Sequence, residues 1–158
     1  MRWDLIDKFE IIKKGEYARA VKNFSGREDF FVENFPKNPI VPETLFIEMI
    51  AQTGGVLFGF GLDFKKEVIL AKILTAEFFD AVKPSCHLEV EARIDDEREE
   101  GAWISGVVNV SGSKAAEASI LLVTVDSLKD KKSKIVFNDD FLKHFDIYNI
   151  AKASEGIF

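Results

Sequence analysis

Hydrophobic residues recur along this chain in two rhythms. Residues 87–95 alternate, with Leu88, Val90, Ala92 and Ile94 on one face and His87, Glu89, Glu91 and Arg93 on the other; a period of two is that of a half-buried β-strand. Residues 9–14 and 17–24 read as a hairpin around Lys14-Gly15-Glu16. Residues 68–82 form an apolar, β-branched stretch that Lys83-Pro84-Ser85 turns, and residues 103–110 and 118–125 read as strands joined across Ser111-Gly112-Ser113. The other rhythm lies between the hairpin and the later strands, where residues 43–58 predict a helix that is apolar nearly all round. Gly54, Gly55, Gly59 and Gly61 crowd its end and read as packing and capping positions. One long helix and about six strands, with consecutive hairpins late in the chain, predict an α+β fold in which an antiparallel sheet wraps around a helix.

After Asp126 the character changes. Lys129-Asp130-Lys131-Lys132-Ser133-Lys134 reads as a solvated linker, and Asn138-Asp139-Asp140 as the capped, favourably charged start of a helix. Phe141, Leu142, Phe145 and Tyr148 then fall at helical spacing, a stripe suited to packing on the parent domain or on a dimer mate. The expected division is a main domain over 1–126 and a linker with a helical extension over 127–158.

Composition narrows the function classes. With 158 residues, 47% of them hydrophobic and fifteen of them Phe, the chain predicts one domain with an apolar interior and room for an apolar ligand or subunit interface. A net charge of −6 and no basic stripe argue against nucleic acid. A single cysteine, Cys86, excludes an intrachain disulfide and suits a reducing compartment. Charge follows Met1 at once, so no cleavable signal is expected, and no uncharged apolar run spans a bilayer. The expected location is cytoplasmic. Two histidines and one cysteine suggest no metal cluster, so neither metal nor cofactor is expected.

Candidate chemistry concentrates where the helix begins. Pro36, Pro39 and Pro42, at three-residue spacing, are expected to hold an extended loop that delivers into the helix. Thr44, Glu48 and Gln52 are four residues apart and line one narrow face, while every other position from Leu45 to Ala51 is apolar. A carboxylate there is costly unless paired. Two readings stay open: a satisfied carboxylate bonded to Gln52 or to backbone donors, or one facing a narrow apolar channel and suited to acid–base work. His87 and His144 read as surface histidines. Cys86 and His87 are neighbours on a strand and point to opposite faces, so they form no nucleophile–base pair.

Phe30, Phe31, Phe35, Pro36, Pro39, Pro42, Glu48, Ala51 and Gln52, in this order and spacing, resemble the signature of the 3-hydroxyacyl-(acyl-carrier-protein) dehydratases. The segment from Gly15 to Asn23 looks like that family's second strand, and Ala76-Glu77-Phe78 through Lys83-Pro84 like its crossover into the later sheet. The likeness runs from about Leu5 to Val125. It implies a hotdog fold, a curved antiparallel sheet wrapped around one long central helix, and a homodimer at least, with acyl-thioester tunnels at the subunit interface. It also implies a hydro-lyase acting on 3-hydroxyacyl thioesters of acyl carrier protein or coenzyme A, in fatty-acid or related acyl-chain biosynthesis. Glu48 would be catalytic, and Asn34 occupies the family's catalytic histidine position, opposite Glu48 across the dimer interface; Phe35, Pro42, Glu43 and Gln52 would lie around the substrate.

The departures fall on those catalytic positions. A carboxamide at Asn34 does not titrate and cannot replace imidazole as a base. Glu43 stands where the family opens its helix with a glycine whose N–H polarises the thioester carbonyl, and Glu33 and Lys37 stand at two other family glycines. Impaired or redirected chemistry is therefore expected. Two other functions stand beside it: a thioesterase in which Glu48 directs a water, and a non-catalytic acyl- or carrier-protein-binding subunit. For an acidic carrier protein, Lys37, Lys65, Lys66, Lys72 and Lys83 are candidate contacts, against which Glu33 and Glu43 would act.

Overall fold

The computed structural model describes residues 5–125 and 136–157. The elements run β1 (Lys8–Lys13), β2 (Tyr17–Phe24), α1 (Asp29–Asn34), α2 (Glu43–Gly61), β3 (Glu67–Phe78), β4 (Cys86–Arg98), β5 (Gly101–Val110), β6 (Ser113–Val125), α3 (Asp139–His144) and α4 (Ile147–Ser154). The six strands form one antiparallel sheet in the order β1-β2-β4-β5-β6-β3. The expected sheet around a single long helix is present. The charged linker at 129–134 lies outside the described residues.

Strand periodicity decides which face meets the helix. Leu88, Val90 and Ala92 on β4, and Ala102, Ile104 and Val108 on β5, are fully buried, while His87 and Glu89 are exposed. Against that face α2 buries Phe46, Met49, Ile50, Val56, Leu57 and Phe58. The approach is as close as the residues allow. A Cβ on Gly106 would stand 2.2 Å from Ile50 Cγ2, and one on Gly54 would stand 2.9 Å from Ile104 Cγ2. The helix rests on the sheet where glycine removes the side chain, first from β5 and then from α2 itself.

Three local expectations are corrected. The stretch before α2 is not one extended loop, because Asp29–Asn34 forms a short helix whose Phe30 and Phe31 turn into the core. Those two rings pack edge-on to Phe24 at the end of β2, at 5.4 and 6.1 Å between centroids. Next, α2 runs on to Gly61 rather than ending at Phe58. The residues that stop it are Asp63 and Phe64, both at φ 52°, with Leu62 and Phe64 donating their N–H groups to the Gly59 carbonyl. Finally, the C-terminal stripe is two helices and not one. Asp146 adopts a left-handed conformation (φ 53°) between α3 and α4. Asn138 does cap α3, its side-chain oxygen accepting from the Phe141 N–H at 3.0 Å.

The two sheet edges are treated differently. Along β1, the Ile12 N–H donates to Ser154 Oγ of α4 at 3.1 Å, so the C-terminal helix covers this edge. At the opposite edge, β3 carries Ile69, Leu70, Ile73 and Leu74 exposed. By length and composition α2 is apolar enough to cross a membrane, although with Glu43 and Glu48 it is not an uncharged run; 67% of that stretch is buried inside the fold, as in a core helix.

Candidate functional site

The curved sheet leaves one face of α2 uncovered, and a cavity of about 890 Å³ lies over it. Its floor is a single stripe of the helix: Glu48, Ala51, Gln52 and Gly55. This stripe follows from helical spacing, since positions three and four apart stack on one face. Val68 and Leu70 of β3 and Leu122 of β6 supply apolar wall. Leu5, Ile6 and the Asp7–Lys22 pair come from the N-terminal arm and β2, and the segment leading into and along α3 contributes Phe137, Phe141 and Phe145.

Glu48 is half-buried, and Gln52 Nε2 donates to its Oε1 at 3.0 Å. The Glu48 carboxylate is thus hydrogen-bonded within its own helix, and it also lines the cavity, where Leu5, Ile6, Val68 and Leu70 stand beside the polar groups of Asp7, Lys22, Asp140 and His144. Nearby, Lys22 Nζ donates to Asp7 Oδ1 at 2.7 Å, and the Asn23 N–H donates to Asp7 Oδ2 at 2.7 Å. Burial pushes the Asp7 carboxyl up, but these hydrogen bonds and the Lys22 charge outweigh it, leaving Asp7 below its ordinary value.

The structure brings Glu48 and Gln52 into the cavity and leaves the other candidates outside its lining. Asn34 is exposed at the end of α1, its side-chain NH₂ turned back to the Phe30 carbonyl at 3.0 Å. Phe35 is 41% exposed, Glu43 is exposed in the first turn of α2, and Pro42 is the residue before that helix. A main-chain bond from the Val41 N–H to the Val82 carbonyl, at 2.7 Å, anchors this entry segment. His87 is a surface residue as expected, with Nδ1 2.7 Å from Asn23 Oδ1. Burial, with a smaller contribution from Glu28, pushes the Cys86 thiol up. His144 is also exposed, but it lies on the rim of the same cavity as Glu48, which its reading as an ordinary surface histidine did not anticipate. Among the described residues no group of three or more His, Cys, Asp or Glu is placed to hold a metal.

Sequence reasoning also missed the aromatic side of the cavity. The Phe137, Phe141 and Phe145 rings pack in succession, tilted to one another with centroids 5.0 and 4.7 Å apart, and Phe145 meets Phe9 of β1 edge-on at 5.5 Å. The signal available was the bare stripe at Gly55 and Gly59 on a helix otherwise rich in large side chains.

An antiparallel sheet curved around one long helix, with a helix-borne carboxylate looking into a cavity, defines a hotdog domain. Solved structures with this fold align with it. One is smu.793 from Streptococcus mutans, solved bound to acetyl CoA, with a TM-score of 0.60 and 10% identity over 75% of this chain and 88% of that one. Another is the dehydratase heterocomplex ApeI:P from Xenorhabdus doucetiae, with a TM-score of 0.61 and 16% identity over 80% and 86% of the two chains. The sequence narrows the class further. The chain belongs to the FabA-like family, whose domain matches residues 2–119. It is 36% identical over 123 residues to the 3-hydroxyacyl-(acyl-carrier-protein) dehydratase FabZ of Thermomicrobium roseum, covering 77% of this chain and 83% of that protein.

Proposed function

We propose that this protein handles 3-hydroxyacyl or enoyl thioesters as a dehydratase-type hydro-lyase, with Glu48 as its acid–base group. The observation that carries this reading is the placement of Glu48, held at Oε1 by Gln52, on the floor of a cavity with apolar walls at Val68, Leu70 and Leu122. Dehydration takes a proton from C2 and a hydroxyl from C3 and leaves a C2–C3 double bond and a water. A single carboxylate accomplishes this in two moves: its second oxygen accepts the C2 proton, then returns it to the departing hydroxyl. The electrons of the broken C–H bond form the double bond, and no oxidant or cofactor is needed. Asn34 takes the part of an orienting hydrogen-bond donor or acceptor. The lost imidazole is expected to leave the reaction slow, since a general base contributes typically 10²–10⁴-fold.

The working unit in this reading is a cytoplasmic homodimer. A twelve-residue edge strand with large apolar residues exposed invites pairing with another chain, and a second copy at β3 is the partner that leaves both sheets with one covered edge and one shared edge. Asn34, outside the cavity of its own chain, would then serve the cavity of the partner subunit. The single free thiol, Cys86, suits a reducing compartment. The acyl group would arrive on acyl carrier protein or coenzyme A. Residues 1–126 would form the hotdog unit, and 127–158 an extension returning to it.

The exposed, back-bonded Asn34 favours one second reading, a non-catalytic acyl-binding subunit. Hydration of crotonyl thioester, followed as loss of enoyl absorbance, separates the two. Turnover by the parent protein that falls at least ~10²-fold in Glu48→Gln, and rises in Asn34→His, supports the hydro-lyase. Turnover appearing only in Asn34→His supports the binding subunit, and turnover indifferent to Glu48→Gln removes Glu48 from the chemistry.

A further inference from the structure

We propose that Phe137 sets the length of acyl chain the cavity accepts, an inference that rests on the reading that an acyl thioester binds with its reacting end at Glu48. The α2 stripe under the cavity has a polar end, Glu48 with Gln52, and a bare end at Gly55. Seven residues separate Glu48 from Gly55, about 10 Å at the helical rise. The cavity walls include the aliphatic side chains of Val68, Leu70 and Leu122, the surface an alkyl tail needs, beside the polar groups of Asp7, Lys22, Asp140 and His144.

At Gly55 the free run stops. The missing side chain is replaced by the ring of Phe137, packed so tightly that a Cβ on Gly55 would meet its Cζ at 3.2 Å. One turn further, a Cβ on Gly59 would meet the Phe64 ring at 3.0 Å and the Phe137 ring at 3.6 Å. The two glycines therefore form a socket that aromatic side chains fill, Phe137 over Gly55 and Phe64 over Gly59, and not an open groove along which a longer tail could continue. Phe64 and Phe141 hold the ring in place, with centroids 6.1 and 5.0 Å away. Phe137 lies beyond the residues 2–119 that match the family, so this stop lies outside the matched domain. A thioester with its carbonyl at Glu48 would run its tail down α2 and meet the ring after a short to medium length.

The test compares kcat/KM for dodecenoyl and crotonyl thioesters in the parent, Phe137→Ala and Phe137→Leu. Calorimetric binding of the saturated lauroyl and butyryl pantetheine amides supplies a readout that needs no turnover. The parent should favour the short chain. Phe137→Ala should raise the long-to-short ratio at least roughly tenfold, the scale of discrimination by apolar pocket volume, with Phe137→Leu between. Unchanged ratios in both variants, with short-chain binding intact, would overturn the role of Phe137 and leave the acyl reading standing. Failure of the parent to bind or turn over either chain would overturn that reading, and this inference with it.

Discussion

Glu48 and Gln52 sit one helical turn apart, so the carboxylate is oriented by its own helix before anything else packs on it. This is why their partnership was legible from spacing alone. The same logic does not reach Asp7 and Lys22, whose 2.7 Å contact joins the N-terminal arm to β2 and depends on strand register. That pair carries a pH signature. Burial raises the Asp7 carboxyl, the bonds from Lys22 and Asn23 lower it more, and the net displacement is below the ordinary 3.8. A depressed carboxylate adds stability above its unfolded value, and loses that contribution as pH falls through the folded value. Asp7→Asn should therefore lower the Tm near neutral pH, and the gap from the parent should close as pH falls from about 4 towards 2. With the Asp7 side chain 36% exposed, solvent screening keeps the effect at roughly 0.2–1 kcal/mol. A gap that persists unchanged at low pH would assign the loss to packing instead. Asn34 shows the limit of motif reading: its position in the signature was visible, but its back-bond to Phe30 depends on a helical turn at α1 that the proline spacing concealed.

At the scale of elements, the contact between α2 and β5 organises the fold. Alternation on β4 was readable because one face of it is buried against the helix. The depth of that contact was not readable, because nothing local marks Gly106 as the place where Ile50 enters. Gly106→Ala would put a methyl 2.2 Å from Ile50 Cγ2 and force α2 off the sheet, at a cost of about 1–3 kcal/mol as for overpacked cores. Chemical denaturation should show a lower midpoint with little change in slope. Gly156→Ala, where a Cβ meets nothing within 4 Å, is the control that should barely move it. The split of the C-terminal stripe into α3 and α4 was hidden for a related reason. Phe141, Leu142, Phe145 and Tyr148 keep helical spacing across the break, and the turn rests on Asp146 adopting a positive φ.

At the scale of the molecule, the contrast between the edges of the sheet matters most. The C-terminal helix closes β1 through Ser154, whereas β3 presents Ile69, Leu70, Ile73 and Leu74 without cover among the described residues. Apolarity at 68–82 announced a strand in the sequence, but only the strand order places it at an edge. Sedimentation velocity should find the parent protein at least dimeric and Ile73→Lys shifted towards monomer; a parent that sediments as a monomer would remove the shared-edge assembly. The central claim, an acyl-thioester cavity with Glu48 at its reacting end, is tested most directly by a crystal structure with crotonyl-pantetheine amide bound. The acyl carbonyl and C2 should lie beside the Glu48 carboxylate, with the tail along α2 towards Gly55. Ligand bound away from Glu48, or no ligand at saturating concentration, would contradict it.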